Sequence, residues 1–158
     1  MADAGFFDAG PDSPLALKAE GEADLRVISA LVQDAILPAN ELSYDSKARR
    51  LALLINRFRW EDAEAARREK REFERVRALL VVNDVLKVQS DGLSRDADTV
   101  LELLTIDWQP GADGTGRLLL EFAGDGTLSA DVECINLDLR DVTRPYVAPS
   151  GKAPHHPE

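Results

Sequence analysis

Alternating hydrophobic and polar positions predict a run of β-strands over residues 100–139. In the last part of this run, Leu128, Ala130 and Val132 fall on one side of the chain, and Ser129 falls on the other. Glycine-containing turns divide the run, because glycine adopts the backbone conformations that tight turns require. The pattern therefore predicts three strands, at about 100–108, 117–123 and 127–139.

A second set of three strands is predicted earlier in the chain, at about 41–45, 50–60 and 76–89. The last of these is interrupted by a bulge or tight turn at Asn83 and Asp84. The middle strand is apolar on both faces, which is typical of a central strand. A short edge strand at 15–19 would bring the total to seven. The two sets of three suggest the hypothesis of a duplicated unit, although the two halves match poorly residue by residue.

Two segments have helical character. Leu25, Ile28, Leu31 and Val32 recur at helical spacing and predict an amphipathic helix over about 22–35. Residues 61–75 are rich in Ala, Glu, Arg and Lys, so they form either a charged helix or a connector. The predicted fold class is therefore α+β. It consists of a mostly antiparallel, twisted or partly closed sheet of about six to seven strands, with the first helix packed on it.

The chain has 158 residues, which suits a single domain. Its ordered core is expected at about 15–142, with flexible tails at 1–14 and 145–158, where Gly, Pro and polar residues lack any periodicity. The sequence contains no apolar run of about 18 residues, and its first residues lack the basic and apolar segments of a secretory signal. Its single cysteine fits a reducing compartment, so we expect a cytoplasmic protein without membrane contact.

The charge is unevenly distributed along the chain. The net charge is −10, yet residues 47–77 contain 11 basic and six acidic side chains. Arginines interleaved with aromatic residues can bind single-stranded nucleic acid or an acidic protein. The alternative is a solvated strand face beside a helix whose charges pair with each other. The candidate binding surface consists of Arg49, Arg57, Arg59, Trp60, Arg67, Arg68, Lys70 and Arg71.

Cys134 is the only cysteine, and the alternation of its strand predicts that it is buried with Val132. A nucleophilic cysteine needs a base beside it, and the only histidines, His155 and His156, lie in the proline-rich tail. We therefore predict no catalytic residue. An exposed Cys134 beside a charged partner would count against that prediction.

Metal and phosphate sites are also not predicted. The loop acids Asp91, Asp96 and Asp98 lack a recognised calcium-binding pattern. The GADGTG segment at 111–116 lacks the lysine and the following helix of a phosphate-binding loop. A carboxylate pair remains a weak alternative for hydrolysis, formed across strands from Asp107, Glu121, Asp131 and Glu133. No metal ligand and no cofactor are expected.

Several segments resemble one small bacterial family, catalogued as domain of unknown function twenty-nine forty-eight. They are LLINRFRWED (53–62), RVRALLVVNDVLKVQSDGL (75–93), VLELLTIDWQPG (100–111) and VECINLDLRDV (132–142), and the opening LKAEGEADLRVISALVQDA (17–35) is similar too. The resemblance covers about 15–145 and implies a stand-alone bacterial protein. It brings no known activity, cofactor or catalytic residue.

These observations favour a protein-interaction or scaffold module without catalytic activity. Its expected partner is another protein, of unknown identity, and self-association through sheet or helix surfaces is a second expectation. One alternative is a nucleic-acid-binding protein that uses the basic segment 47–77. The other is an enzyme or small-ligand binder with a pocket between helix and sheet.

Overall fold

The structure is a computed structural model that describes residues 13–94, 96–148 and 153–154. Strands hold 50% of these residues. Two α-helices accompany them, α1 (Glu22–Leu31) and α2 (Trp60–Arg68). The strands are β1 (Ala16–Ala19), β2 (Ala35–Pro38), β3 (Leu42–Asp45), β4 (Arg50–Phe58), β5 (Glu74–Val82), β6 (Val85–Asp91), β7 (Val100–Pro110), β8 (Gly116–Phe122), β9 (Thr127–Val132), β10 (Leu137–Asp141) and β11 (Tyr146–Val147).

The predicted α+β class with six to seven strands is wrong. The described residues form one mostly antiparallel sheet of 11 strands, and the two helices are short. Two predicted strands are each divided in two, at residues 83–84 and 133–136, and two further strands, β2 and β11, were not predicted. Because β11 lies in the predicted tail 145–158, that tail is not wholly irregular. Residues 1–12, 149–152 and 155–158 of the two predicted tails lie outside the description.

The strand pairings follow a path from β1 to β6, and the chain itself closes the circuit where β5 continues into β6 and β9 continues into β10. Strands β3, β4 and β5 form one antiparallel meander, and β7, β8 and β9 form another. The third strand of the first meander, β5, is followed by β6, which pairs with β9 of the second meander. The third strand of the second meander, β9, is followed by β10, which pairs with β5 of the first. On the opposite side, β2 joins β4 to β7. Each half of the chain thus contributes a strand to the other half, which is the symmetry expected of a duplicated unit. The duplication itself stays a hypothesis.

The core lies inside this circuit. Alternate residues of the central strands are buried, as Leu51, Leu53 and Ile55 show on β4 and Leu118 and Leu120 show on β8. The intervening residues form the outer face of the sheet. Burial of one face fixes the register of these strands, because a shift by one residue would expose the apolar set.

Helix α1 packs its buried Leu25 and Ile28 on the core. It ends four residues before the predicted limit of 35, since Asp34 takes a left-handed backbone conformation with a φ of 66°. The Asp34 N–H then donates to the Leu103 carbonyl at 2.7 Å, which directs Ala35 into β2. The helical spacing of Ala35 was therefore a coincidence.

Helix α2 occupies the first part of the charged segment predicted at 61–75. Glu61 and Asp62 lie in its first turn, and Arg67 and Arg68 lie in its last, so these charges oppose the partial charges of the helix ends. Strand β5 begins at Glu74, within the predicted segment. The segment thus contains a helix, a connector and the start of a strand.

Candidate functional site

The two strand arginines of the predicted basic surface are buried. Arg57 is 0% exposed and Arg59 is 5% exposed. Arg57 lies two residues after Ile55, so the alternation of β4 turns it toward the interior with the core residues of that strand. This parity was visible in the sequence, where it could have removed Arg57 from the predicted surface.

Arg57 is held between two carboxylates. Its Nε donates to Asp141 Oδ1 at 3.1 Å, and its Nη2 donates to Asp141 Oδ2 at 3.1 Å. Its Nη1 and Nη2 also donate to the two Glu61 oxygens at 2.9 and 2.7 Å. Burial alone would raise the pKa of Glu61, but the hydrogen bonds and charge of Arg57 outweigh it, so this pKa lies below its usual value. Asp141 also accepts a hydrogen bond from the Leu15 backbone, which fixes β1 at this site.

Other arginines of the predicted surface are paired as well. Arg59 contacts Glu61, Asp62 and Glu74. Arg71 donates to both Asp62 oxygens at 3.1 Å and to Glu69 at 2.6 Å. Arg49 is exposed and pairs with Glu133. Around α2, three guanidinium groups therefore meet five carboxylates, and this cluster is not basic.

The rest of the predicted surface lies along α2 and just after it. The Trp60 indole N–H donates to the Gln33 carbonyl at 3.0 Å, so this ring is a structural contact of the loop after α1. The Arg67 guanidinium lies over the Phe73 ring, 5.5 Å from its centre. Arg67, Arg68 and Lys70 are exposed and form no ion pair with any residue that the structure describes.

Cys134 is exposed, so the prediction that it is buried is wrong. Strand β9 ends at Val132, and the alternation that pointed Cys134 inward ends with it. Its Sγ lies 3.6 Å from Asp84 Oδ2. Partial burial and this carboxylate both raise the pKa of the thiol, which keeps it protonated. An exposed cysteine beside a charged group is thus present, which is the arrangement that counts against the prediction of no catalytic residue. The charge is negative, a sign that opposes a nucleophilic thiolate.

No group of three or more His, Cys, Asp or Glu side chains in the described part of the chain is placed to hold a metal ion. Asp96 and Asp98 instead form a local turn, in which the Asp98 N–H donates to Asp96 Oδ1 at 3.2 Å. Of the four strand acids considered for hydrolysis, Asp131 pairs with Arg117 and Glu121 accepts from Thr127. His155 and His156 lie outside the described residues.

A concave site lies elsewhere, on the outer face of the sheet. Strand β2 pairs with β7 at four positions but with β4 only between Ile36 and Asn56, so β2 and β4 separate. The gap leaves a hollow of about 520 Å³. We call it the outer-face depression; its walls include Ile36, Leu54, Asn56, Arg77, Val100 and Tyr146.

The polar groups of the outer-face depression are ordered by hydrogen bonds. Asn56 donates to the Tyr146 hydroxyl and accepts from Arg75 Nε at 2.6 Å. Arg75 also donates to the carbonyls of Asn56 and Asp34, and burial lowers the pKa of its guanidinium. The Arg75 side chain is therefore held by hydrogen bonds within the protein. Arg77 is exposed, and its side chain has no ion pair with any described residue.

Apolar side chains are exposed around the same depression. Six large hydrophobic residues are exposed in the described part of the chain, and three of them belong to this region. Ile36 and Val100 line the depression, and Val142 lies beside Arg77, because its N–H donates to the Arg77 carbonyl. Sequence reasoning missed the site because its residues come from strands that are far apart in the chain. The only signal was that Arg77 lies on the opposite face from the buried Val76 and Ala78.

Other hollows are present. One of about 500 Å³ is lined by Leu42, Val88, Leu93 and Leu101, with Gln89 and Ser90 as polar groups. Another, of about 410 Å³, lies at the start of α1 between Glu20, Glu22 and Trp108. This second hollow lies between a helix and the sheet, as the predicted ligand pocket would. The charged residues in its walls are acidic.

Fold and site together define a mostly antiparallel β protein. The outer face of its sheet has a hollow that is lined by apolar side chains and by an arginine. The chain belongs to the family described as "Protein of unknown function (DUF2948)", whose model matches residues 15–156. No curated protein and no solved structure matches it. None of the helices among the described residues has the length and apolar character that crossing a lipid bilayer requires.

Proposed function

We propose that this protein is a non-catalytic binding module that contacts a partner protein through the outer-face depression. The observation that carries the proposal is the exposure of Ile36, Val100 and Val142 at one site, beside Arg77. Exposed apolar side chains that cluster beside polar groups mark interaction surfaces, whereas scattered ones need no explanation. The proposal keeps the interaction module expected from the sequence and moves its surface from the basic segment to the outer face of the sheet.

The charges of the basic segment support this move. Arg57, Arg59 and Arg71 each meet carboxylates of the same chain, which leaves them little capacity for an external anion. Cys134 is the exposed thiol, and the neighbouring Asp84 keeps it protonated. These contacts favour binding over catalysis.

The test compares two substitutions of exposed valines. Val100→Asp places a charge in the outer-face depression, and Val27→Asp places the same charge on α1, where Val27 is 52% exposed. Wild-type protein and both variants are used as bait in the native host. We expect Val100→Asp to lose the captured partner and Val27→Asp to retain it. Loss with both variants, or with neither, would contradict the proposal.

Nucleic-acid binding is a second candidate, supported by the exposed cations Arg67, Arg68 and Lys70. Binding through these groups would weaken with salt, because each phosphate contact releases counterions. The triple substitution Arg67→Glu, Arg68→Glu and Lys70→Glu should then abolish binding to single-stranded RNA at low salt. Absence of binding by the wild-type protein at low salt would reject this candidate.

A further inference from the structure

We propose that the segment bound in the outer-face depression presents a carboxylate directly beside an apolar side chain. The inference rests on the proposed function and specifies the chemistry of the partner. It commits to an acidic, apolar stretch of polypeptide.

The carboxylate preference follows from the position of Arg77. Asn56 pairs with Arg77 across β4 and β5, Ile36 pairs with Asn56 across β2 and β4, and Glu102 pairs with Ile36 across β2 and β7. Arg77 and Glu102 therefore lie at opposite ends of one row across the sheet. Asn56 is occupied by Arg75 and Tyr146, and Arg75 is occupied by Asn56 and the Asp34 carbonyl. Arg77 is therefore the cation of this row that remains for a ligand, and a guanidinium binds a carboxylate in a bidentate manner.

The exposed cations on and just after β10, on the Arg77 side of the site, have the matching sign. Arg140 is exposed on β10, and Arg144 is exposed shortly after it; neither has an ion pair with a described residue. Val142, between them in sequence, is held beside Arg77 by its backbone hydrogen bond. Glu41 lies in the wall of the depression, and Glu102 lies beyond Ile36 in the same row. Both repel an anion, so the bound carboxylate is directed to the side of Arg77.

The extent of the apolar surface favours a polypeptide over a small molecule. Ile36 and Val100 lie within the depression, but Val142 is half exposed beyond its walls, next to Arg77. A small carboxylate would fill the hollow and leave this valine in water. The aliphatic character of the patch also disfavours nucleic acid, whose bases stack on aromatic rings.

The experiment uses the full chain and three synthetic peptides in calorimetric titrations. The first peptide is acetyl-Gly-Leu-Leu-Asp-Gly-amide. The second replaces Asp by Asn and so removes only the charge; the third replaces both Leu by Ser and so removes only the apolar groups. We expect the first peptide to bind, and each of the others to bind about tenfold more weakly, the effect of losing a charge-assisted hydrogen bond or a buried apolar side chain.

Protein variants assign the effect to the site. Arg77→Met should remove the preference for Asp over Asn, and Val100→Asp should abolish binding. The matched controls lie on α1, where Arg26→Met and Val27→Asp change exposed residues of the same types and should leave binding unchanged. Hexanoate serves as the small-molecule probe and should not reproduce the affinity of the first peptide.

The outcomes separate this inference from the proposed function. Equal binding of the Asp and Asn peptides overturns the carboxylate preference, and hexanoate binding as tightly as the peptide overturns the choice of a polypeptide. If no peptide binds while Val100→Asp still removes the captured partner, the inference fails and the proposed function stands. If Val100→Asp changes neither peptide binding nor capture, both fail.

Discussion

Arg57 shows how a single residue can change role when its burial is known. The sequence places it in a basic segment, and the structure places its guanidinium in the interior between Asp141 and Glu61. Arg57→Met keeps the aliphatic bulk but leaves the buried Asp141 without its counter-charge. We expect the variant to lose about 3–5 kcal/mol of unfolding free energy, measured by urea denaturation.

The matched control is Arg117→Met on β8. Arg117 also pairs with an aspartate, Asp131, but its side chain is 45% exposed. Removal of an exposed ion pair costs about 1 kcal/mol or less, so the two variants should differ clearly. Similar losses in both variants would show that Arg57 is not a structural anchor.

The same network predicts an acid-dependent loss of stability. Because the folded-state pKa of Glu61 is lowered, its stabilising effect is complete above the unfolded-state pKa and is lost as the pH falls through the folded-state value. Glu61→Gln should therefore be less stable than wild type at about pH 6, and the difference should shrink toward about pH 3, below the ordinary glutamate pKa. Urea denaturation across this range measures it; a difference independent of pH would contradict the assignment.

At the scale of elements, the junction between β5 and β6 is the point at which the chain passes from pairing in the first meander to pairing with the second. Asp84 takes a left-handed conformation there, with a φ of 57°. Its Oδ2 accepts from Asn136 Nδ2 at 2.8 Å, which ties this junction to the one between β9 and β10. The residue thus contributes both a backbone conformation and an acceptor.

Three substitutions of Asp84 separate these contributions. Asp84→Asn keeps an acceptor and tolerates positive φ, Asp84→Gly keeps only the conformational freedom, and Asp84→Ala keeps neither. We expect stability to decrease in that order, with a loss of about 1–3 kcal/mol for alanine. Thermal and urea unfolding measure the series. An alanine variant as stable as the asparagine variant would contradict this account of the junction.

The elements also differ in how far sequence could predict them. Strands β4, β7, β8 and β9 follow from alternation, because one of their faces packs on the core. Strand β2 could not be found this way, since its four residues owe their conformation to pairing with β7, which is distant in sequence. Strand β11 has two residues and no pattern at all, and its pairing with Arg75 and Glu74 is again long-range.

For the whole molecule, closure of the strand circuit explains why the candidate site was not predicted. The sequence indicated the interruption between β5 and β6 at residues 83–84 but not the one between β9 and β10, and the hydrophobic pattern gave no sign that the strands exchange between meanders. The outer-face depression exists because β2 meets β4 at one residue pair while it follows β7. The family match over residues 15–156 shows which family the chain belongs to, but it gives no information about chemistry.

The central claim is that binding takes place at the outer-face depression. Amide chemical shifts of isotopically labelled full-length protein, followed during titration with acetyl-Gly-Leu-Leu-Asp-Gly-amide, test it most directly. The account predicts that the largest changes fall on Ile36, Asn56, Arg77, Val100 and Tyr146, with little change along α2. Changes concentrated on α2, or spread without a maximum at these five residues, would contradict it.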